Sequence, residues 1–309
     1  MGDAATRRED WRYGRILPLA ARSRAFGRAA ATILAHAEMR RDPGRTRVAC
    51  ERIARCLGVD ADGAQRIHRE ALESEAREEV DAAWFMAHED RIGPAFEQGG
   101  ARLDPGPAIL ATLHFGSPVL AFVHLSRMPG ARLAIVARPL DDSNPMPRAK
   151  REWARRKVAW TERASGRPFL STDPESVARA RSHLLDGGRL FTPVDVPGDV
   201  SARRSRVRLF GRVAEVSGGI EVLARLTRTP VQPVVAFPQG NGFRFWYGRR
   251  IEPGDGDEPL ARAFVELERI LRERPGDWWM WPYLDLKDPR EASEERGPAA
   301  ATGSEPRPR

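Results

Sequence analysis

The sequence predicts a mixed α/β fold: a mostly parallel central sheet flanked by helices, with an α-helical N-terminal extension. Two observations carry that expectation. Up to about residue 100 the apolar residues recur at helical spacing. From Ala108 onward, short apolar runs alternate with helical segments, as strand–helix–strand units do. With 309 residues, the chain is long enough for one large α/β domain or two small ones.

Taken in order, residues 1–16 are charged and predict a disordered start. Residues 17–38 predict an amphipathic helix with a basic face and Leu, Ala, Phe and Ile on the other. Residues 44–57 predict a second helix on Val48, Ile53 and Leu57, closed by the turn Val59–Gly63. Residues 64–88 predict a third, whose apolar side includes Ile67, Leu72, Val80, Trp84 and Phe85. The helical region is assigned to 17–100, the α/β region to 101–287 and a Pro-, Glu-, Arg- and Ala-rich disordered tail to 288–309. Within the α/β region, strands are expected at 108–113, 132–137, 189–194, 230–236 and 242–250. Helices are expected at 118–128, 145–157, 174–186, 217–227 and 258–273. Arg244–Gly248 alternates like an antiparallel edge strand.

The strand ending at Leu113 delivers His114. Gly116, Ser117 and Pro118 follow, with Ser117 suited to an N-cap and Pro118 to the first helical position. An imidazole thus sits at a strand's C-terminal end beside a helix N-terminus. In open α/β sheets that crevice is where ligands bind, which marks His114 as the candidate general base. Asp195 ends a later strand on the same side. Ser217-Gly218-Gly219 opens a predicted helix whose amides suit an anion or oxyanion, although capping and close packing explain it as well. Arg204, Arg206 and Arg208 alternate like one strand face, fit for an acidic carrier or a lipid head, or simply for water. His124 is expected to pack, and His36, His68, His88 and His183 to lie on polar helix faces without partners. Trp278, Trp279 and Trp281 read as core or rim packing.

The net charge of +8 favours acidic partners, an anionic membrane or carrier protein before nucleic acid, for which no motif is present. Cys50 and Cys56 match no redox or zinc spacing and read as reduced thiols. No His/Cys/Asp cluster has metal-ligand spacing, and neither a phosphate loop nor a Gly-x-Ser-x-Gly elbow is present, so no metal and no cofactor are expected. No signal peptide and no membrane-spanning run are read.

Several landmarks occur in order. They are the strand-His114 turn, Ala137-Arg138-Pro139-Leu140 with Asn144-Pro145, Leu184–Arg189 leading to Pro193-Val194-Asp195, and Leu209-Phe210-Gly211-Arg212 before Ser217-Gly218-Gly219. Thr229-Pro230-Val231-Gln232-Pro233 and Pro275-Gly276-Asp277-Trp278-Trp279-Met280-Trp281 complete them. With these, the region from about 45 to 286 resembles the bacterial lipid A late acyltransferases of the lauroyl/myristoyl type, and the related mannoside acyltransferases. Both belong to the lysophospholipid acyltransferase superfamily.

The resemblance implies acyl transfer from a thioester donor, acyl carrier protein or acyl-CoA, to a hydroxyl or amine of a lipid or small-molecule acceptor. It implies His114 as base, with Ser117, Arg138, Asn144, Arg208, Ser217 and Gly218 around donor or acceptor. It also implies a cytoplasmic location, or a peripheral one on the cytoplasmic face of the inner membrane. The chain departs from the pattern at one place. The acid of the family's His-x-x-x-x-Asp/Glu motif is Val119 here, which accepts no hydrogen bond from imidazole. Either Asp195, or less simply Asp141 or Asp142, supplies the acid, or the acceptor is a stronger nucleophile, or transfer chemistry is lost. The alternatives to an enzyme are a silent acyl-binding or regulatory protein of the same fold and a basic membrane-surface module.

Overall fold

The computed structural model describes residues 11–98, 105–136, 147–167, 169–171, 173–200, 203–254 and 258–290. Residues 1–10 of the expected disordered start lie outside the described residues, and the rest of it is helical. Residues Arg12–Ile16 form a π-helical turn that runs into Leu17–Ala20, and Tyr13, Ile16 and Leu17 are buried. The expected helix 17–38 is broken, because Ser23 adopts extended backbone and its hydroxyl accepts from Phe26 N–H at 3.3 Å, capping a new helix, α1 (Arg24–Arg41). Asp42 caps α2 (Pro43–Leu57), and Asp60 caps α3 (Ala61–Ala87) by accepting from Gly63 N–H at 2.8 Å.

The middle of α3 is buried nearly all round, including three acids. Each has a cation: Glu78 with Lys157 at 2.9 Å, Glu79 with Arg12 at 2.7 Å, and Asp81 with Arg24 at 2.8 Å. Buried carboxylates are costly unless paired, so these bonds tether the N-terminal turn, α1 and the 148–165 helix to α3.

The remaining elements are β1 (Phe96–Gln98), β2 (Ala108–Thr112), α4 (Pro118–Ser126), β3 (Leu133–Val136), α5 (Arg148–Ser165), β4 (Phe169–Leu170) and α6 (Pro174–Leu185). Then come β5 (Arg189–Pro193), β6 (Arg204–Leu209), β7 (Arg212–Ser217), α7 (Gly219–Thr227), β8 (Val231–Gln239), β9 (Gly242–Tyr247) and α8 (Pro259–Glu273). The main sheet runs β1-β9-β8-β2-β5-β3-β4. Its neighbouring strands are parallel except β8 and β9. The segment expected as an edge strand is therefore an inner one, covered by β1, whose Phe96 stacks on Phe243 and Phe245. The fold class agrees with the sequence: a mostly parallel sheet, flanking helices and a helical N-terminal region.

Every residue of β2 is buried, as a strand covered on both faces requires. Ile109, Ala111 and Leu113 face the layer with α2, α7 and α8, while Ala108 and Leu110 face the layer with α4. The connection leaving β2 thus begins with a helix on one face. The connection leaving its neighbour β5 reaches the other face through β6, β7 and α7. Adjacent strand ends whose connections part to opposite faces form a switch point, the place where ligands bind in such sheets. α3 passes this end of the sheet, with Ile67 packed in one layer and Phe85 in the other.

The strands β6 and β7 form an antiparallel hairpin outside the main sheet. Its turn places both Phe210 (φ 54°) and Gly211 (φ 72°) in the left-handed region, as two-residue hairpin turns favour. Phenylalanine is a strained choice there. It is held by stacking on Trp281 at 5.3 Å and by a hydrogen bond from its N–H to Glu268 at 2.8 Å.

Candidate active site: a histidine–aspartate pair at the ends of two parallel strands

β2 and β5 are paired in register, Thr112 beside Pro193, so the residues just beyond them converge. His114 Nδ1 lies 2.8 Å from Asp195 Oδ1, although 81 residues separate them in the chain. The other carboxylate oxygen accepts from the His114 backbone N–H at 2.9 Å and from Trp278 Nε1–H at 2.9 Å. Asp195 and Trp278 are fully buried. An oxygen acceptor at Nδ1 selects the tautomer with the proton on Nδ1, which leaves the Nε2 lone pair outward. No described residue bonds Nε2, and the His114 side chain keeps 34% of its surface exposed.

Burial works against an imidazolium at this position. The Asp195 charge and hydrogen bond, with Glu75 and Glu78 of α3 behind them, outweigh it and raise the His114 pKa above its ordinary value. The histidine turn is itself clamped. Trp279 N–H donates to His114 O at 3.0 Å, Gly116 N–H to Asp277 O at 3.0 Å, and Ser117 N–H to Ala236 O at 2.9 Å. Asp277 in turn meets Arg274 at 2.5 Å and Ser74 at 3.4 Å, and Trp279 Nε1–H reaches Ser74 Oγ at 3.2 Å. Burial pushes the Asp277 carboxyl pKa up despite Arg274.

Of the other residues singled out in the sequence, Ser117 occupies the N-cap position of α4, but its buried hydroxyl makes no capping bond. The first-turn amides beside His114 therefore keep their partial positive charge. Ser217 closes β7 instead of opening a helix, and its N–H donates to Val196 O at 2.9 Å, next to Asp195. Gly218 is a packing residue: a Cβ there would stand 2.9 Å from Ser205 Oγ and 3.0 Å from the Arg204 carbonyl carbon. Its N–H is already given to Arg203 O, so the expected anion cradle is not formed by this pair. Arg204 and Arg206 both pair with Glu215 across the hairpin, while Arg208 is exposed on the same strand. Arg138 and Asn144, with Asp141 and Asp142, lie outside the described residues. Val119 packs partly buried against the α4 layer.

The four histidines expected on polar helix faces without partners differ from that: one is buried and three are hydrogen-bonded. His68 is 1% exposed, Nδ1 has no hydrogen-bond partner among the described residues, and burial pulls its pKa down to about 4. His36 and His88 bond the carbonyls of Thr32 and Trp84, and His183 bonds those of Arg132 and Arg189. His124 packs as expected, stacked on Phe96 at 4.7 Å. Trp278 does more than pack, because it donates to the buried carboxylate; the chain offers no local signal for that bond. Among the described residues no group of side chains has the make-up of a metal site, and no helix is long and apolar enough to cross a membrane.

The class defined so far is a mixed α/β protein with a His–Asp pair at the switch point of its sheet. No protein-family model matches the chain, and a search of curated proteins finds no relative.

Proposed function

We propose that this protein is an acyltransferase of the kind the sequence resembles, with His114 as general base and Asp195 as its orienting acid. The observation that supports this most is the Nδ1–Asp195 bond on a ring that stays partly exposed, with Nε2 unbonded by any described residue. Asp195 supplies from β5 the acid that Val119 lacks on α4, which favours transfer over a silent acyl-binding protein. In the step, Nε2 takes the proton of the acceptor hydroxyl or amine as that atom attacks the thioester carbonyl. The C–S bond then breaks, and the imidazolium returns the proton to the leaving thiolate. The N-terminus of α4, which has no side-chain cap, would offer partial positive charge to a carbonyl oxygen that becomes negative beside His114.

Thiol release from a panel of acyl-CoA and acyl-carrier-protein donors, with and without a lipid or amine acceptor, tests this reading. His114→Ala is expected to lower release by about 10²–10⁴-fold. Equal release by the variant sinks the mechanism. Tight binding of a donor that stays unreacted in the wild type selects the silent-binder reading.

The same reading assigns the protein an anionic membrane surface as its working place. Trp11, Leu19, Phe26 and Ile33 are large, apolar and exposed, and Phe26 and Ile33 lie seven residues apart on one face of α1. Arg15, Arg22 and Arg40 are exposed in the same region. Sedimentation with phosphatidylglycerol vesicles is expected to fall with added salt and in the double variant Phe26→Ser/Ile33→Ser. Binding unchanged by both would remove the membrane from the reading.

A further inference from the structure

We propose that a cavity walled by α1 and α3 binds the phosphate or pyrophosphate group of a substrate. This deepens the acyl-transfer reading and rests on it only for what the phosphate belongs to. The cavity, about 190 Å³, lies between α1, α3 and the start of α5. Four cations line it, Arg12, Arg41, Arg45 and Lys150, against two acids, Glu38 and Glu75. Leu34 and Leu72 also line it. Taking liquid water at roughly 30 Å³ a molecule, the space holds about six waters, enough for a phosphate and part of what it is attached to.

Two of the cations are held firmly: Arg12 by Glu79 at 2.7 Å, and Arg41 by Glu38. The other two are not. Arg45 stands 3.7 Å from Glu38 and 3.8 Å from Glu75, and Lys150 stands 3.8 Å from Glu75, all longer than a hydrogen bond. Arg45 is oriented by the Tyr283 ring, 4.5 Å beneath its guanidinium, and its buried Nε has no hydrogen-bond partner among the described residues. A positioned guanidinium beside a loosely paired ammonium suits a phosphate, whose oxygens accept from both. A lone carboxylate would leave donors unused and much of the volume empty.

Glu75 ties this cavity to the chemistry. It lines the wall, and it is among the charges that raise the His114 pKa. A phosphate held here would add its negative charge next to Glu75 and would push that pKa further up.

Calorimetric titration of the full chain with inorganic pyrophosphate, at fixed ionic strength, tests the site. Arg45→Gln and Lys150→Gln are each expected to weaken binding about tenfold. Arg66→Gln, on an exposed part of α3, removes the same charge elsewhere and should change affinity less than twofold. Circular dichroism checks that each variant is folded, and Lys150, which is only loosely engaged, keeps the test open should the Arg45 variant unfold. No binding at millimolar pyrophosphate, or equal weakening by Arg66→Gln, overturns the proposal. Coenzyme A binding more tightly than pantetheine, with the difference lost in Arg45→Gln, places the phosphate on the donor. Glycerol 3-phosphate or a sugar 1-phosphate showing that dependence instead places it on the acceptor. The readout needs no turnover, and His114→Ala should retain pyrophosphate affinity, so a failed acyl-transfer reading is distinguishable from a failed phosphate site.

Discussion

If the proposed acyl transfer is the reaction, Asp195→Asn is expected to lower thioester turnover by about 10³–10⁴-fold, the scale on which loss of an orienting acid acts in a Ser-His-Asp triad. Asp195 accepts three N–H donors, from His114 Nδ1, the His114 backbone and Trp278. An amide has one accepting oxygen, and its NH₂ would face donors. The ring then loses its reason to keep the proton on Nδ1, and an imidazolium formed during attack loses its balancing charge. Hydrogen bonds to charged groups contribute about 1.5–3 kcal/mol each, so some stability falls too, but the surrounding strands keep the fold.

The pH dependence carries a sign. The His114 pKa is raised in the fold, so the pair contributes stability that is fully present below about pH 6.5, the ordinary histidine value, and is lost as pH rises through the raised value. Activity runs the other way, because a base must be deprotonated: kcat/KM should climb with pH with a midpoint above 6.5. In Asp195→Asn that midpoint should move down. A proton NMR titration of the His114 ring checks the shift without turnover, and an unchanged midpoint would mean that Asp195 does not act on His114.

Gly116→Ala is expected to cost more than about 3 kcal/mol and to dismantle the histidine turn. Gly116 has φ of 58°, where a side chain is strained. A Cβ would also stand 2.2 Å from Ala236 O and 2.8 Å from Phe237 Cα, both backbone atoms of β8 that cannot swing aside. The turn would have to lift, breaking the Gly116 N–H to Asp277 and Ser117 N–H to Ala236 bonds that hold His114 in place. Gly58→Ala is the matched control. Its φ is 68°, yet nothing lies within 4 Å of the added methyl, so only the backbone cost of about 1–2 kcal/mol applies. Urea unfolding of both variants measures the difference, and equal losses would contradict the close packing of the turn against β8.

His114 was legible because its signals are local: a buried apolar run, then glycine, serine and proline where a strand gives way to a helix. Asp195 was legible as a strand-end acid. Its pairing with His114 was one of several open alternatives, since 81 residues separate them and only the placing of β5 beside β2 joins their ends. The roles of Ser217 and Gly218 went the other way. Small residues before a helix look like an anion cradle, but packing against the β6–β7 hairpin uses Gly218 for close approach. His68 looked polar by its neighbours on α3, whereas that helix is covered on several sides and buries it.

The sequence by itself determined the fold class, the N-terminal helices and the imidazole at a strand end, because period, capping and turn chemistry act within a few residues. Tertiary structure alone decided which acid faces that imidazole, that Trp278 donates to the acid, that β1 covers β9, and that Arg45 and Lys150 share a cavity with Glu75. Those facts depend on strand order and on the path of α3 past the sheet, which bring together side chains that no local period connects.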